Sequence, residues 1–151
     1  ILLLGEKIEI TYEDINKISL INRVLVAPKH MEKDINALKK GLKEFISKFA
    51  AELLPQCMSY FSEIIGKSPA KIAISHPRSI WGSCNDRKEI RLNAKLVMLP
   101  KELMEYVVIH ELCHLKELNH SEIFWREVNK FCDASYCRKQ LKEYNYLITL
   151  F

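Results

Sequence analysis

The order of patterns along this 151-residue chain predicts an α+β fold, with a small β-sheet packed against helices. Three observations carry that prediction. Period-two, β-branched runs fill the first thirty residues. A long segment with apolar residues at three- and four-residue steps follows. Short strand-like runs then precede a series of helical segments. Strands, helix, strands, helices is the arrangement of an α+β protein rather than of alternating βαβ units.

In the first region Ile8, Ile10 and Tyr12 fall on one side and Lys7, Glu9 and Thr11 on the other. A second run, Ile18 to Val26, is rich in β-branched residues, so two or three strands are expected before Pro28. From about Glu32 the period changes. Ile35, Leu38, Leu42, Phe45, Ile46 and Phe49 mark an amphipathic helix. Pro55 is expected to end or kink it, leaving Cys57 to Ile65 as a second helical piece closed by Gly66 and Pro69. Lys71–Ser75, Ile80–Cys84 and Glu89–Asn93 read as strands, the last two joined into a hairpin by the polar turn Asn85–Lys88. Pro100 starts a strong helix to about Leu118, with Glu102 in its first turn. Further helices are expected over Ser121–Cys132 and Ser135–Leu147.

No Gly/Ser/Pro-rich linker divides the chain, and its length suits one domain. The expected organisation is N-terminal strands over 1–30, a long helical segment over 31–66 and a core over 70–151. Hydrophobic residues make up 48% and charged residues 28%, which excludes disordered and fibrous classes. The net charge of +4 permits weak attraction to nucleic acid or nucleotides without requiring it. The lysines are mixed with glutamates, as on a solvated surface. Five scattered cysteines, an odd number with no C-x-x-C pair, argue against a disulfide framework and for a reducing, cytoplasmic setting. The apolar start Ile1–Leu4 is too short for a signal peptide or membrane span, so no membrane partner is expected. The missing initiator Met leaves an upstream segment open.

The chemistry-bearing segment is HELCHLKELNH, residues 110 to 120. His110 and His114, four apart on a helix, place both imidazoles on one face one turn apart. Two nitrogens there can reach one ion at roughly 2.0–2.1 Å. Glu111 projects beside the ion, placed to take a proton from an activated water rather than to coordinate. A catalytic zinc needs a third protein ligand and an open position. His120 supplies the third if the helix breaks first, and Asn119, tolerant of the left-handed conformation, is the expected break. Ser121 then caps the next helix, with Glu122 at its N-terminus. The expectation is one Zn²⁺ per chain on His110, His114 and His120, Glu111 as general base, and hydrolysis without a covalent intermediate. Three of the five histidines within eleven residues make coincidence a poor account. Glu117, Glu122 and Glu127 are rival third ligands, each better read as a surface charge. His30 and His76 read as loop histidines and Cys113 as a core thiol.

The run WGSC (81–84), then IRLN (90–93), then YVVIHELCHLKELNHSEIFW (106–125), resembles the YgjP-like metallopeptidases, small zincins similar to SprT-like and Wss1-like proteases. The resemblance is strong from Trp81 to Trp125 and weak before it. It implies a zincin-like core, the same ligands and base, and a WGSC strand close to the active site. Extended substrates commonly pair along such an edge strand, so Trp81 and Ser83 are candidate cleft residues. Trp81 as a core residue and Gly82 as a point of close backbone approach is the competing reading. Asn93 is a candidate brace for the strand-to-helix connection, and Phe124 and Trp125 are expected to pack behind the zinc helix. One departure stands out. The family usually has Arg immediately before the Trp; here that position is Ile80, and Arg78 lies two positions earlier. Arg78 is therefore a candidate substrate contact, and specificity is expected to differ.

Three functions remain open on the sequence. The leading one is a zinc peptidase acting on protein or peptide. The second keeps the metal but hydrolyses a phosphoanhydride, as a nucleotide pyrophosphohydrolase, and needs cations such as Arg78, Arg87, Arg91 and Lys95 near the ion. The third is a zinc-stabilised DNA- or protein-binding module using Lys33, Lys39, Lys40, Lys43 and Lys48. Structural zinc normally takes four ligands, mostly Cys, and would give Glu111 no task.

Overall fold

The computed structural model describes every residue from Ile1 to Phe151. The N-terminal region holds five short strands rather than two or three: β1 (Leu2–Leu3), β2 (Glu6–Lys7), β3 (Ile10–Glu13), β4 (Ser19–Ile21) and β5 (Val24–Pro28). The β1–β2 turn needs Gly5, which has φ +80° and lies so close to Pro100 that a Cβ would sit 2.9 Å from Pro100 Cα. The amides of Leu4 and Gly5 donate to Val97 O and Met98 O, so this hairpin docks on the segment before the histidine helix. In the second sheet β5 is central, parallel to β3 and antiparallel to β4. Its Leu25 and Ala27 are fully buried against Leu38 and Leu42.

Asp34 caps α1 (Ile35–Ile65) by accepting from the Ala37 amide. The helix does not end at Pro55 and no separate piece begins at Cys57; α1 is one helix of 31 residues. The reason lies in which side Pro55 occupies. It and Ala51, whose carbonyl loses a partner, are both exposed, so water can satisfy the carbonyl. The buried stripe Ile46, Ala50, Leu54, Met58, Phe61, Ile65 runs past Pro55 unbroken. Gly66 ends the helix in the left-handed conformation, φ 78°, as expected.

The third sheet consists of β6 (Lys71–Ser75), β8 (Glu89–Asn93) at the centre and β7 (Gly82–Cys84) at an edge. β6 runs parallel to β8 and β7 antiparallel to it. The expected strand over 80–84 begins only at Gly82. The β7–β8 hairpin forms as expected, with Asn85 Oδ1 accepting from the amides of Arg87 and Glu89. Asn93 braces the exit from β8. Its Nδ2 donates to Pro77 O and Ile80 O, and its Oδ1 accepts from the Lys95 amide. A buried 3₁₀ segment, Ala94–Met98, leads to Pro100 and α2 (Lys101–Cys113).

α2 stops at Cys113, five residues before the expected end at Leu118. α3 (Glu122–Val128) and α4 (Ala134–Lys142) are also shorter than expected, and the chain closes with a 3₁₀ turn, Asn145–Thr149. Asn129 Oδ1 accepts from the Ala134 amide and Asp133 caps α4, which draws the chain out of helix between Val128 and Ala134. The main core of 29 buried residues joins α1, β8, the 94–98 segment and eight of the thirteen residues of α2. No helix is long and apolar enough to cross a membrane.

Candidate metal centre

On α2 the spacing of His110 and His114 does what helix geometry requires: their Nε2 atoms lie 3.2 Å apart. His114 is the capping residue of the helix. Beyond it the amides of Leu115 and Lys116 bond back to Leu112 O and Cys113 O, and the chain turns out of the helix. The break therefore falls at His114–Lys116 rather than at Asn119, and Asn119 does not adopt positive φ. The turn still returns the third histidine. His120 Nε2 lies 3.2 Å from His110 Nε2, and one ligand atom from each of the three imidazoles falls within 4.8 Å of the others. Two nitrogens each 2.0–2.1 Å from a tetrahedral ion would lie roughly 3.3 Å apart, so these spacings fit one zinc.

The surrounding residues hold the rings. Ser121 Oγ accepts from the Phe124 amide and starts α3 directly after His120. Phe124, fully buried, stacks on His114 at 4.2 Å between ring centres. Trp125 lies parallel to His120 at 5.6 Å and carries the Arg138 guanidinium 4.4 Å over its own ring. His114 Nδ1 lies 3.0 Å from Glu117 O, so its Nδ1–H has an acceptor and its Nε2 lone pair faces the other imidazoles. Burial first, and the two neighbouring histidines next, push the His110 pKa down to about 3. It is neutral, as a metal ligand must be.

Glu111 is 4% exposed. Its Oε1 lies 3.8 Å from His110 Nε2, while its buried Oε2 has no hydrogen-bond partner. Burial pushes its pKa up to about 8; a cation on the three imidazoles would act in the opposite direction. A buried carboxylate oxygen without a partner is costly unless a ligand or water meets it, so the donor set and the orphaned oxygen both suit a metal with its water. β7 forms the wall. A Cβ on Gly82 would sit 3.1 Å from Glu111 Cγ and 3.3 Å from Val107 Cγ1, so the strand backbone lies on the stem of the carboxylate.

The other site candidates divide. Trp81 is a core residue, 8% exposed, with Nε1 donating to Asn145 Oδ1 at 3.0 Å. Ser83 pairs with Arg91 and, by strand alternation, points to the face opposite Gly82 and Glu111. Arg78 is exposed on the bend after β6. Glu122 and Glu127 pair with Arg126 and with Lys116 and Lys130, away from ligand duty. Cys113 is buried core. Sequence reasoning missed the Glu117 carbonyl, the Arg138–Trp125 stack and Tyr106, whose hydroxyl lies 3.3 Å from His110 Nδ1. Only Tyr106, four residues before His110, left a signal in the spacing.

A HExxH-bearing helix under an edge strand, with a third histidine returned from the next turn, defines a zinc-dependent hydrolase of the metallopeptidase class. The chain belongs to the YgjP-like family: the YgjP-like metallopeptidase domain matches residues 1–144. Among solved structures it is similar to the metallopeptidase zymogen abylysin of Pyrococcus abyssi, at 26% identity and TM-score 0.53, over 59% of this chain and 91% of that one. It is similar also to the metallopeptidase zymogen jannalysin of Methanocaldococcus jannaschii, at 25% identity and TM-score 0.51, over 62% of this chain and 95% of that one. No curated protein matches.

Proposed function

We propose that the chain hydrolyses peptide bonds with one zinc held by His110, His114 and His120 and with Glu111 as general base. One observation carries the reading: three imidazole nitrogens converge beside a buried carboxylate whose Oε2 has no partner. Zinc, when bound, supplies Lewis acidity toward a carbonyl and acidifies water. Glu111 accepts the water proton and passes it to the leaving amine. His110 and His114 stay neutral and fixed. The unpaired edge of β7 accepts an extended peptide by backbone hydrogen bonds, with Gly82 keeping the strand close to Glu111. Ser83 then contributes through its backbone, Trp81 by anchoring the start of the strand, and Arg78 as a rim contact for substrate.

We further infer one zincin-like domain over residues 1–151, since α1 packs on the segment 94–98, α2 and β6 alike. The phosphoanhydride reading is weaker. Lys95 is 1% exposed and spends its ammonium on Ile148 O and Phe151 O, and Arg91 shares the face of Ser83, away from Glu111. The exposed lysines of α1 lie on a solvated helix face, with no feature that selects DNA. The test is metal analysis with a substrate screen over unstructured protein and nucleoside triphosphates. About one zinc per chain, lost in His110→Ala, and peptide cleavage abolished in a zinc-retaining Glu111→Gln are expected. Unchanged cleavage in Glu111→Gln removes the base from the scheme.

A further inference from the structure

Tyr106, His110 and His114 recur every four residues and form one stripe along α2. The imidazoles belong to the metal centre; the phenol has no role in the chemistry proposed above. Packing alone does not explain it, because Phe would fill the same space. Tyr106 is 3% exposed, and a buried hydroxyl needs a hydrogen-bond partner. That partner is His110 Nδ1, 3.3 Å away, with the two rings meeting edge to face at 5.7 Å between centres.

The tautomer follows from which nitrogen faces the site. His110 Nε2 lies 3.2 Å from the Nε2 atoms of both His114 and His120. A neutral imidazole that offers Nε2 to a cation carries its proton on Nδ1. That Nδ1–H needs an acceptor inside the protein. His114 meets the same need with Glu117 O at 3.0 Å. For His110 the group in position is Tyr106 Oη, 3.3 Å from Nδ1.

We propose that Tyr106 is a positioning residue of the metal centre: its hydroxyl oxygen accepts the Nδ1–H of His110 and thereby fixes both the ring rotation and the tautomer that presents Nε2. This rests on the zinc reading above. Outer hydrogen bonds of this kind change metal affinity because they fix ligand orientation and raise ligand basicity.

The test is Tyr106→Phe, which keeps the ring in the core. Zinc affinity is measured by competition with a chromogenic chelator, and the imidazole N–H resonances of zinc-loaded protein are recorded by ¹⁵N-edited NMR. Zinc binding weakened on the order of 10- to 100-fold is expected. The His110 Nδ1–H resonance should move upfield while that of His114, held by Glu117 O, stays in place. A purely structural phenol would move neither the affinity nor one resonance selectively. Full affinity with an unmoved His110 resonance overturns the proposal. If Tyr106→Phe does not fold, the wild type decides: a zinc-loaded His110 protonated on Nε2 also overturns it. His110→Ala separates the two readings. Retention of zinc in that variant defeats the zinc site itself, whereas loss of zinc there with full affinity in Tyr106→Phe defeats only the role of Tyr106.

Discussion

A carboxyl held neutral by burial until about pH 8 makes the metal-free protein less stable as pH rises, and Glu111→Gln should remove that dependence. The sign follows from proton counting. Between the ordinary carboxyl value of 4.5 and about 8, the folded chain binds the Glu111 proton and the unfolded chain does not. Stability contributed by this group is full below pH 4.5 and is lost as pH rises toward 8. At about 1.4 kcal/mol per pH unit, the whole interval corresponds to about 5 kcal/mol and the part below pH 7 to about 3 kcal/mol. His110 tilts the curve the other way. Its folded pKa is lowered to about 3, so its contribution is lost as pH falls below the ordinary 6.5. The measurement is therefore a difference: urea unfolding of wild type and Glu111→Gln in chelator, from pH 5 to 8.5. The wild type should lose several kcal/mol relative to the variant across that range, and saturating zinc should shrink the gap by lowering the Glu111 pKa. Parallel curves for the two proteins would refute the claim that burial governs this carboxyl.

Two further outcomes test the frame around the site. Gly82→Ala places a methyl 3.1 Å from Glu111 Cγ, so the strand or the carboxylate must shift by tenths of an ångström. Turnover should fall by up to about 100-fold with a stability loss of roughly 1–3 kcal/mol, read from kcat and from unfolding; an unaffected kcat would mean that β7 does not set the base. Ser121→Ala removes the oxygen that accepts from the Phe124 amide, and should cost about 1 kcal/mol and weaken zinc binding, because His120 precedes this cap directly. Chelator competition checks it, and unchanged affinity would show that the Trp125 stack alone holds His120.

What was legible in the sequence is what short-range geometry fixes. The i, i+4 histidines, the Ser121 cap, the Gly66 stop and the Asn85 hairpin turn each depend on a few neighbouring residues, and each stands as expected. The misreadings depend on contacts across the fold. Pro55 is a helix breaker by local rule, but its solvent-facing position lets the buried stripe carry the helix past it. For Trp81 the sequence leaves cleft and core equally open; its side chain is buried and bonds to Asn145, 64 residues away, a contact that no local pattern announces. A strand of three residues shows that Gly82 and Ser83 face opposite sides, yet not which side meets Glu111; the packing of β7 on α2 decides that.

The early end of α2 has a geometric cause that explains the remaining discrepancy. Two ligands one turn apart lie along a line parallel to the helix axis. A third donor on the same face of a continuing helix, at i+7, would be roughly 10 Å from the first at 1.5 Å rise per residue, beyond the reach of one ion. Glu117 would occupy that position relative to His110 on a continuing helix, so helical spacing alone could not make its carboxylate the third ligand. Ending the helix at His114 resolves this. It frees the Glu117 carbonyl to turn inward onto His114 Nδ1, and it brings His120 back to within 3.2 Å of His110. A helix continued to Leu118 would keep the motif and lose the site.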